Sequence, residues 1–587
     1  MKRERHGRAG LVLLCLAGAL GCHDVDRLVD VRVQEEVVCG PEVPLPPETP
    51  AETPPETPPE QPRPPASDPP PPPPPPPEDV DTTPTPVPDG VPAPLPGVYT
   101  DKGRAPDTNV IRGLISFPIR DVEGLERTIQ ELYDPRSARF RRYLTPQEWM
   151  DRHAPPEADV RMVAQWLESR GMQVPRIATN RLLVQFIGTV AQFNESFGTE
   201  LRILERKSPQ GGNPPHDVYG LNGKINAPRF VMDRIAAVVT ADLPADTRAM
   251  PPEAGTVSTQ LPADISRGLT PQQVASAYGV SPLYQRGFRG QGVKLGVSLG
   301  GGFRMRDVRG FWQTFGVPRA DPRIIQTAEP PAVRNREATL DVEWAGAMAP
   351  EAELVVYQGP DARNTSMVYT FNEAIARNEV SVITTSFAHR EDSEPKAVHR
   401  AYGASAMMAA ALGITVVAAS GDSAGVDVPG SSPYVTAVGG TRLIMNGLQR
   451  VSERAWAHSG SGPSTSFPKP AWQAAMPGDK RATVDVALNA NTGYWYTMLG
   501  IHSPNTGTSF SAPVFAGMLA VINGARASEN RPALGWLNGL LYTTPQVQAT
   551  FRDITQEGTW RFQAGPGWDF PTGWGAPDAE GLLSTMP

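Results

Sequence analysis

The sequence predicts an α/β protein in which a mostly parallel β-sheet is flanked by helices and is preceded by a smaller α+β module. The chain has 587 residues, too many for a single hydrophobic core. From Leu269 onward, short apolar runs of strand length alternate with segments of helix length. Residues 109–243 contain a separate, compact alternation of strand and amphipathic helix patterns. We therefore expect two folded units, with the functional site of the larger one at the carboxyl ends of its parallel strands.

The N-terminus has the layout of a bacterial export signal, which we place at residues 1–21. Four basic residues among the first eight precede an apolar run over residues 9–20. This run is too short to span a bilayer as a mature helix. Ala19-Leu20-Gly21-Cys22 resembles a lipoprotein cleavage box, so one expectation is an outer-membrane or cell-surface protein lipidated at Cys22. The alternative is ordinary cleavage and secretion, which leaves Cys22 and Cys39 free to pair.

A proline-rich segment follows the signal. Residues 41–96 consist mainly of Pro, Glu, Thr and Asp and include an unbroken proline run at 69–77. This composition cannot bury enough apolar surface to fold, so we expect residues 22–105 to form a disordered, extended tether. Such a tether would give the folded units reach from the membrane or cell wall.

Cysteine content and charge exclude several functions. The three cysteines, Cys15, Cys22 and Cys39, all precede the folded units. The folded units therefore contain no cysteine nucleophile, zinc–cysteine site or disulfide. The net charge is −8 and the folded part contains no basic cluster, which argues against nucleic acid as a partner.

The first folded unit, residues 106–243, is predicted to be a ferredoxin-like α+β module. Its predicted strands are 111–118, 181–186 and 235–239, and its predicted helices are 122–133, 158–170 and 190–197. No ligand motif is visible in it. Residues 244–265 are rich in Pro, Ala and Thr, and we interpret them as a cleavable linker.

The second unit, residues 266–587, carries the alternating pattern. Its predicted strands are 293–299, 354–357, 380–385 and 414–419, and its predicted helices are 306–315 and 397–412. The glycine run at 300–302 is weak as a phosphate loop because no Gly-Lys-Ser/Thr follows it.

Ser509 is the candidate nucleophile. It lies in Asn-Thr-Gly-Thr-Ser-Phe-Ser-Ala-Pro, residues 505–513, which leads into the apolar helical pattern 514–522. A serine at a helix N-terminus lies beside unpaired backbone N–H groups and the positive end of the helix dipole, which favour an anionic transition state. Gly507 allows close approach of a substrate backbone, and Pro513 is expected to lie in the first helical turn, where its missing N–H costs nothing. The alternative is that Ser509 only caps the helix.

A serine nucleophile needs a base within hydrogen-bond reach, and Glu337 and Asp341 are two carboxyls that could supply one. Glu337 and Asp341 are four residues apart, so on a helix they share a face, and their repulsion raises one pKa and lets the pair share a proton. Glu337 is therefore the candidate base, and Asp341 is the residue that orients and tunes it. In the alternative, Glu337, Asp341 and Glu343 form a solvated acidic face, although the apolar residues between them leave no consistently polar side.

His502 is the rival base, because it precedes Ser509 by only seven residues. It has no acidic partner nearby in the sequence, and none of the eight histidines lies in a His-Gly-Thr-His motif.

Asp422 is the third piece of the predicted site, in Ala-Ser-Gly-Asp-Ser at the end of the predicted strand 414–419. An ionised carboxylate would repel an oxyanion, whereas a protonated one can donate a hydrogen bond to it. If Asp422 donates a hydrogen bond to the oxyanion, the protein must be active at acid pH, where this carboxyl holds its proton. The alternative is an ordinary turn after a strand.

Together these motifs resemble the sedolisins, the serine-carboxyl peptidases with a subtilisin-like fold. Gly-Thr-Ser with Ser-Ala-Pro around Ser509, the Glu337–Asp341 spacing followed by Ala349-Pro350, and Ser-Gly-Asp at Asp422 carry the resemblance. Residues 143–149, 166–171 and 193–199 resemble the pro-kumamolisin type of activation domain. The resemblance implies a Ser-Glu-Asp triad with Asp422 at the oxyanion, and an inactive precursor that cuts its own linker. It also implies protein or peptide substrates, cleaved by endopeptidase or tripeptidyl-peptidase activity, and a pro-domain that acts as intramolecular inhibitor and chaperone.

The resemblance also implies one Ca²⁺ ion in the peptidase unit. Residues 551–555 and 565–575 resemble the sedolisin calcium site, in which hard oxygen atoms surround the ion. The ligands carried over are the side chains of Asp553 and Asp569 and the backbone oxygens of Ile554, Gly565 and Gly567. The alternative is a Gly/Trp-rich turn that packs on the core.

Two segments depart from the family pattern. Thr-Ser-Phe-Ala-His at 385–389 replaces the usual Ser-Trp/Tyr-Gly, which leaves the substrate-binding wall uncertain, and Phe510-Ser511 stand where smaller residues are common. Two other functions are compatible with the fold: a catalytically inactive surface binding protein, and a histidine-dependent subtilase.

Overall fold

The computed structural model describes residues 83–86, 99–206, 216–222, 224–242, 264–331 and 335–587. The export signal at 1–21, Cys22, most of the tether to residue 105 and nearly all of the linker at 244–265 lie outside the described residues.

The described residues of the N-terminal unit form nine strands and five helices. Its strands are β1 (Pro84–Pro86), β2 (Tyr99–Arg104), β3 (Val110–Ser116), β4 (Gln173–Ile177), β5 (Leu183–Thr189), β6 (Glu200–Arg206), β7 (His216–Asn222), β8 (Asn226–Pro228) and β9 (Ala237–Asp242). Its helices are α1 (Val122–Tyr133), α2 (Pro146–Arg152), α3 (Glu157–Ser169), α4 (Val190–Phe197) and α5 (Arg229–Met232).

The main sheet of this unit is antiparallel, with the order β4-β5-β3-β9. Counted along the chain, these are its second, third, first and fourth strands, which is the ferredoxin-like arrangement that the sequence predicts. Helices α1 and α4 have the predicted bounds because local signals fix them. Thr189, for example, forms a capping box with Gln192 at the start of α4.

The C-terminal unit is larger. Its strands are β10 (Lys294–Gly300), β11 (Arg323–Gln326), β12 (Glu353–Gly359), β13 (Val382–Thr385), β14 (His389–Arg390), β15 (Thr415–Ala419), β16 (Asp427–Val428), β17 (Thr436–Asn446), β18 (Gln449–Ala455), β19 (Gly462–Pro468), β20 (Lys480–Thr483), β21 (Val486–Asn489), β22 (Tyr494–Met498) and β23 (Ile501–Asn505). Its helices are α6 (Pro271–Ala277), α7 (Ser281–Gln285), α8 (Met305–Thr314), α9 (Arg336–Met348), α10 (Asn364–Ala376), α11 (Lys396–Ala411), α12 (Thr508–Ser528), α13 (Asn538–Thr543), α14 (Pro545–Gln548) and α15 (Ala579–Thr585).

Eight strands form the central sheet in the order β11-β12-β10-β13-β15-β17-β18, and β21 also pairs with β17. Every pairing is parallel except that of β17 with β18. Two pairs of helices pack on the sheet, α9 with α12 and α10 with α11. Strands β13 and β15 are buried along their whole length, as strands covered on both faces must be. The predicted mostly parallel sheet with flanking helices is therefore confirmed.

The two units are packed against each other. Strands β3 and β9 contact α10, β9 also contacts α11, and α1 lies against α11. The Tyr133 hydroxyl donates to the Ala410 carbonyl at 2.8 Å and accepts from the Trp536 N–H at 2.8 Å. Asn180 and Asn372 exchange hydrogen bonds across the same interface. These buried polar contacts fix the orientation of one unit on the other.

Among the described residues, one helix, Thr508–Ser528, is long and apolar enough to cross a membrane. Its most apolar window is 94% buried inside the molecule. Burial of this kind is typical of the core helix of a globular unit.

Replacing Tyr133 with Phe is expected to weaken the interface between the units. The change leaves the Trp536 backbone N–H buried without its acceptor, at a cost of about 1–3 kcal/mol, while the Ala410 carbonyl keeps the Gly413 N–H as a donor at 3.3 Å. Urea unfolding of the whole precursor, followed by tryptophan fluorescence, measures it. The matched control is Tyr219→Phe, which removes a hydroxyl bonded to Asn109 inside the N-terminal unit. A Tyr133→Phe chain that unfolds at the wild-type urea concentration would contradict this role.

Candidate active site

Helix α12 presents Ser509 at its N-terminus. The helix begins at Thr508, so Ser509 is its second residue and lies among backbone N–H groups that lack intrahelical acceptors. Gly507 precedes the helix with φ of +140°, a conformation that favours glycine. A Cβ at Gly507 would also approach Asp422 Oδ2 to 2.7 Å. Glycine is thus required here both for the turn into the helix and for the close approach of Asp422.

The expectation that Pro513 lies in the first turn of this helix is wrong. Pro513 is the sixth helical residue, and its absent N–H would have bonded to the Ser509 carbonyl one turn earlier. The Ser386 hydroxyl instead lies 3.0 Å from the Ser509 carbonyl oxygen and donates to it. Because of Pro513, the Ser509 carbonyl has no donor within the helix, and the Ser386 hydroxyl at the end of β13 takes the place of that donor.

Helix α9 presents Glu337 and Asp341. Asn335 caps it by accepting the Ala338 N–H at 2.7 Å. Every residue from Ala338 to Met348 is buried, including Asp341 and Glu343, which are both 0% exposed. The alternative of a solvated acidic face is therefore wrong, because the helix is enclosed by α12, α8 and the sheet.

Aromatic packing fixes α9 against α12. The Trp344 indole donates to the Trp495 carbonyl at 2.8 Å and packs edge-on against Tyr494 and Phe510. Phe510 stacks on Tyr494 with ring centroids 4.9 Å apart. The large Phe510 beside Ser509 thus fills the space between the helices that carry the carboxyls and the serine.

The Glu337 carboxyl lies beside Ser509. Burial raises the pKa of Glu337 and the charge of Asp422 raises it further, whereas a hydrogen bond with the Ser509 side chain and the charge of Arg336 lower it. The residue as a whole is half-buried, but its Oε1 atom is buried and has no hydrogen-bond partner among the described residues. The side chains of Ser509 and Glu337 are therefore neighbours at the start of α12.

Asp341 lies one turn further along α9 and is enclosed. Its Oδ1 is 2.6 Å from the Ser386 hydroxyl, and its Oδ2 is buried without a partner among the described residues. Burial, and next the charge of Glu337, raise the pKa of Asp341 well above its usual range, although hydrogen bonds from Ser386 lower it. Desolvation thus raises the pKa of Asp341 more than repulsion from Glu337 does. The four-residue spacing of the two carboxyls predicts only the repulsion.

Asp422 follows β15 at the carboxyl edge of the sheet. Its Oδ1 accepts hydrogen bonds from the Thr508 N–H at 2.7 Å and the Thr508 hydroxyl at 2.8 Å. The residue as a whole is exposed, but the protein atoms around its carboxyl group desolvate it in part. That burial raises the pKa of Asp422, while the bonds from Thr508 and the charges of Arg336 and His458 lower it. In its protonated form, Oδ2 is the atom available to donate a hydrogen bond.

The rival base, His502, is engaged elsewhere. It lies on β23, where Nδ1 is 2.7 Å from the Thr497 hydroxyl and Nε2 is 3.3 Å from the Thr314 hydroxyl. Both ring nitrogens therefore have hydroxyl partners outside the site.

Three site residues were not anticipated from the sequence: Ser386, Thr508 and Arg336. Ser386 follows β13 and Asp422 follows its neighbour β15, so both lie at the same edge of the sheet. The rule that parallel strands place functional side chains at their carboxyl ends could have identified Ser386. Nothing in the sequence indicated that Thr508 would hold Asp422.

The candidate calcium loop brings its two carboxyls together. Asp553 Oδ2 accepts the Gly567 N–H and Asp569 Oδ2 accepts the Gly565 N–H, both at 2.8 Å. Burial raises the pKa of Asp569, and the charge of Asp553 adds to the rise. Both glycines have open space where a Cβ would lie, and Ile554 between them and the core is buried. Two mutually repelling carboxyls in a glycine-rich loop are a donor set suited to Ca²⁺.

Within the described part of the chain, no three His, Cys, Asp or Glu side chains cluster as a metal site would require. The proposed calcium ligands include only two such side chains, Asp553 and Asp569, and the other ligands are backbone oxygens. The absence of a cluster of three among the described residues therefore does not test this site.

Two protein families match the chain. The pro-kumamolisin activation domain matches residues 98–239. The subtilase family matches residues 333–575, which include the four residues Ser509, Glu337, Asp341 and Asp422.

Individual relatives align over most of the chain. Kumamolisin from Bacillus sp. (strain MN-32) is 30% identical over 477 residues, which cover 73% of this chain and 83% of the relative. Tripeptidyl-peptidase 1 from Homo sapiens is 29% identical over 555 residues, which cover 84% of this chain and 94% of the relative. Sedolisin from Pseudomonas sp. (strain 101) is 26% identical over 519 residues, covering 79% and 85%.

Among solved structures, Pseudomonas sedolisin complexed with two molecules of pseudo-iodotyrostatin superposes with a TM-score of 0.49 and 25% identity. The match covers 55% of this chain and 98% of that one. With an activation domain ahead of a subtilisin-like unit and 30% identity to kumamolisin over most of its length, this chain belongs to the sedolisin family of serine-type peptidases.

Proposed function

We propose that this protein is an acid-active endopeptidase or tripeptidyl-peptidase in which Ser509, Glu337 and Asp341 form the catalytic triad and Asp422 binds the oxyanion. The observation that carries the proposal is the meeting of Ser509 with Glu337 at the N-terminus of α12, beside a buried Asp341. The Ser509 hydroxyl attacks the peptide carbonyl, Glu337 takes its proton, and the same proton then passes to the leaving amine. Asp422 and the Ser509 N–H stabilise the oxyanion.

The proton on Asp341 follows from hydrogen-bond counting. The Ser386 hydroxyl lies within bonding distance of both Asp341 Oδ1 and the Ser509 carbonyl, but it has only one proton to donate. Both contacts are satisfied if Asp341 is protonated and donates to Ser386, which then donates to Ser509. A neutral Asp341 also leaves no uncompensated charge on its buried, unpartnered Oδ2. Glu337 then carries the negative charge of the pair and acts as the base.

The acid working range follows from Asp422. This carboxyl must be protonated to donate to the oxyanion, and its raised pKa extends the protonated form toward neutral pH. Glu337 must be ionised to act as the base, whereas burial raises its pKa to about 7, and the hydrogen bond with Ser509 and the charge of Arg336 offset only part of that rise. Activity is therefore confined between protonation of Glu337 at the acid side and ionisation of Asp422 at the alkaline side.

The packed N-terminal unit supports a zymogen that matures by cutting its own linker, within residues 244–265. In this proposal, residues 106–243 act as inhibitor and chaperone of the peptidase unit at 266–587. Residues 1–21 direct export, and residues 22–105 tether the precursor. Lipidation of Cys22 would anchor the precursor at the outer membrane or cell surface until cleavage of the linker releases the peptidase.

A catalytically inactive binding protein is not favoured, because such a protein would be expected to lack at least one of the four site residues. A histidine-dependent subtilase is not favoured either, because His502 contacts Thr497 and Thr314 instead of Ser509.

Maturation tests the nucleophile. Purified precursor incubated across the acid range should generate a new N-terminus within the linker, identified by mass spectrometry, and Ser509→Ala should abolish it. The matched control is Ser511→Ala, whose hydroxyl donates to the Asn489 carbonyl away from the cleft, and which should still mature. Appearance of the same N-terminus in Ser509→Ala without added protease would refute self-cleavage through Ser509.

The pH profile tests Asp422. Wild-type activity should fall as the pH rises through the pKa of Asp422, because the ionised carboxylate repels the oxyanion. Asp422→Asn keeps a donor that does not ionise, so this fall should move to higher pH. Asp422→Ala removes the donor and should lower kcat by roughly 10²–10³-fold. If activity falls at the same pH in wild type and Asp422→Asn, a group other than Asp422 limits activity at high pH.

Calcium binding tests the loop ligands, Asp553, Asp569 and the backbone oxygens of Ile554, Gly565 and Gly567. One Ca²⁺ ion held there would stabilise the fold by about 2.7 kcal/mol at a free concentration 100 times its Kd, and a chelator would remove this gain. Asp553→Asn should abolish the calcium-dependent rise in unfolding temperature. The control Glu557→Gln, in the same loop but outside the ligand set, should retain it. Equal calcium responses in both variants would place the ion elsewhere.

A further inference from the structure

Three aromatic side chains form a continuous cluster, which we call the aromatic ledge: Trp456, His458 and Trp560. The ring centroids of Trp456 and His458 are 5.6 Å apart, and those of His458 and Trp560 are 5.2 Å apart in an edge-to-face arrangement. Trp456 is 8% exposed, His458 is exposed, and Trp560 is 66% exposed. The ledge therefore has a buried base and an indole ring facing solvent.

The ledge lies beside the oxyanion segment. The Gly460 N–H donates to the Gly421 carbonyl at 2.7 Å, immediately before Asp422. A Cβ at Gly460 would come within 2.2 Å of the Ser420 carbonyl oxygen, so the two segments are in close backbone contact. The charge of His458 also acts on the Asp422 carboxyl, which places the imidazole on the Asp422 side of the cleft.

A packed turn holds Trp560 in its exposed position. Gly558 pairs with Gln563, and the Thr559 N–H donates to the Phe562 carbonyl at 2.8 Å, which closes a turn with Trp560 near its tip. The Thr559 hydroxyl lies 3.1 Å from the Ser461 hydroxyl on the segment that carries His458. Phe562 stacks on Phe570 with centroids 4.3 Å apart. The exposure of the indole is therefore imposed by a fixed frame at both ends of the turn.

A single exposed indole is common on protein surfaces and needs no explanation by itself. Trp560 differs in that it continues an aromatic cluster that includes His458, two residues before Gly460, whose backbone contacts the segment of Asp422. An aromatic side chain that packs on such a cluster gains about 0.5–1.5 kcal/mol beyond the area it buries. A rigid aromatic surface also loses little conformational entropy when a ligand binds.

We propose that the aromatic ledge is a substrate subsite that binds an aromatic side chain of the peptide, near the bond that is cleaved. The indole of Trp560 supplies the contact face, and His458 sets its angle by packing between the two tryptophans. The inference rests on the proposed peptidase function and specifies the substrate class at that same site.

Substrate profiling tests the ledge. Matured wild-type, Trp560→Ala and Trp560→Phe proteins are given peptides that differ only in having Phe or Ala at each position flanking the cleaved bond. At one position, wild type should prefer Phe over Ala by about three- to tenfold in kcat/KM, which corresponds to the energy of one aromatic contact. Trp560→Ala should reduce this ratio to about one, and Trp560→Phe should retain most of it. The matched control is Leu448→Ala, an equally exposed apolar residue at the β17–β18 turn, which should keep the whole wild-type profile.

Binding of the same peptides separates this inference from the peptidase proposal. In the Ser509→Ala chain, the Phe peptide should bind more tightly than the Ala peptide by a similar factor, and adding Trp560→Ala should remove the difference. If the Ser509→Ala chain binds the Phe peptide more tightly but the wild-type protein cleaves neither peptide, the aromatic subsite is supported and the peptidase function is refuted. If wild type and Trp560→Ala cleave the peptides with the same Phe/Ala ratio of kcat/KM, the aromatic subsite is refuted and the peptidase function is supported. Equal losses on Phe and Ala peptides in both Trp560 variants would show a structural role for the indole, which also overturns the inference.

Discussion

The site depends on the burial of the Asp341 carboxyl against the Ser386 hydroxyl. A carboxylate with one oxygen buried and unpartnered is costly, and the cost falls when the group holds a proton. In the proposed state, Asp341 donates this proton to Ser386, and Ser386 donates its own proton to the Ser509 carbonyl left open by Pro513. The start of helix α12, the carboxyl end of β13 and the middle of α9 are thereby joined through a single chain of hydrogen bonds.

The rest of the C-terminal unit holds these three elements in register. Trp344 packs edge-on against the stacked rings of Tyr494 and Phe510, so that α9 and α12 cannot slide past each other without breaking a buried aromatic cluster. On the other side of the cleft, Thr508 binds Asp422 through both its N–H and its hydroxyl. Ser509 and the Asp422 carboxyl therefore take their positions from adjacent residues, Ser509 and Thr508, of one helix terminus, which limits how far apart they can move.

Much of the fold could be predicted from the sequence because its signals are local. Capping residues fixed α1 and α4, and apolar runs bounded by turns fixed the parallel strands. The acidic residues of α9 were harder to interpret, since periodicity alone does not reveal that α12 covers the whole helix. Pro513 was misplaced because the helix begins at Thr508, and a helix start is set by the turn at Gly507. Ser386 was missed for a different reason: its role exists only when two strands and two helices meet, which no local pattern encodes.

The central claim is that Asp341 holds a proton while Glu337 is ionised, and infrared difference spectroscopy measures this directly. Spectra of the wild-type chain and of Asp341→Asn, recorded across the working pH range, isolate the absorption of the Asp341 carboxyl from that of other buried acids. The account predicts that a protonated-carboxyl band is present in wild type throughout the active range and is absent from Asp341→Asn. A wild-type spectrum in which Asp341 contributes only carboxylate absorption while the enzyme is active would contradict it.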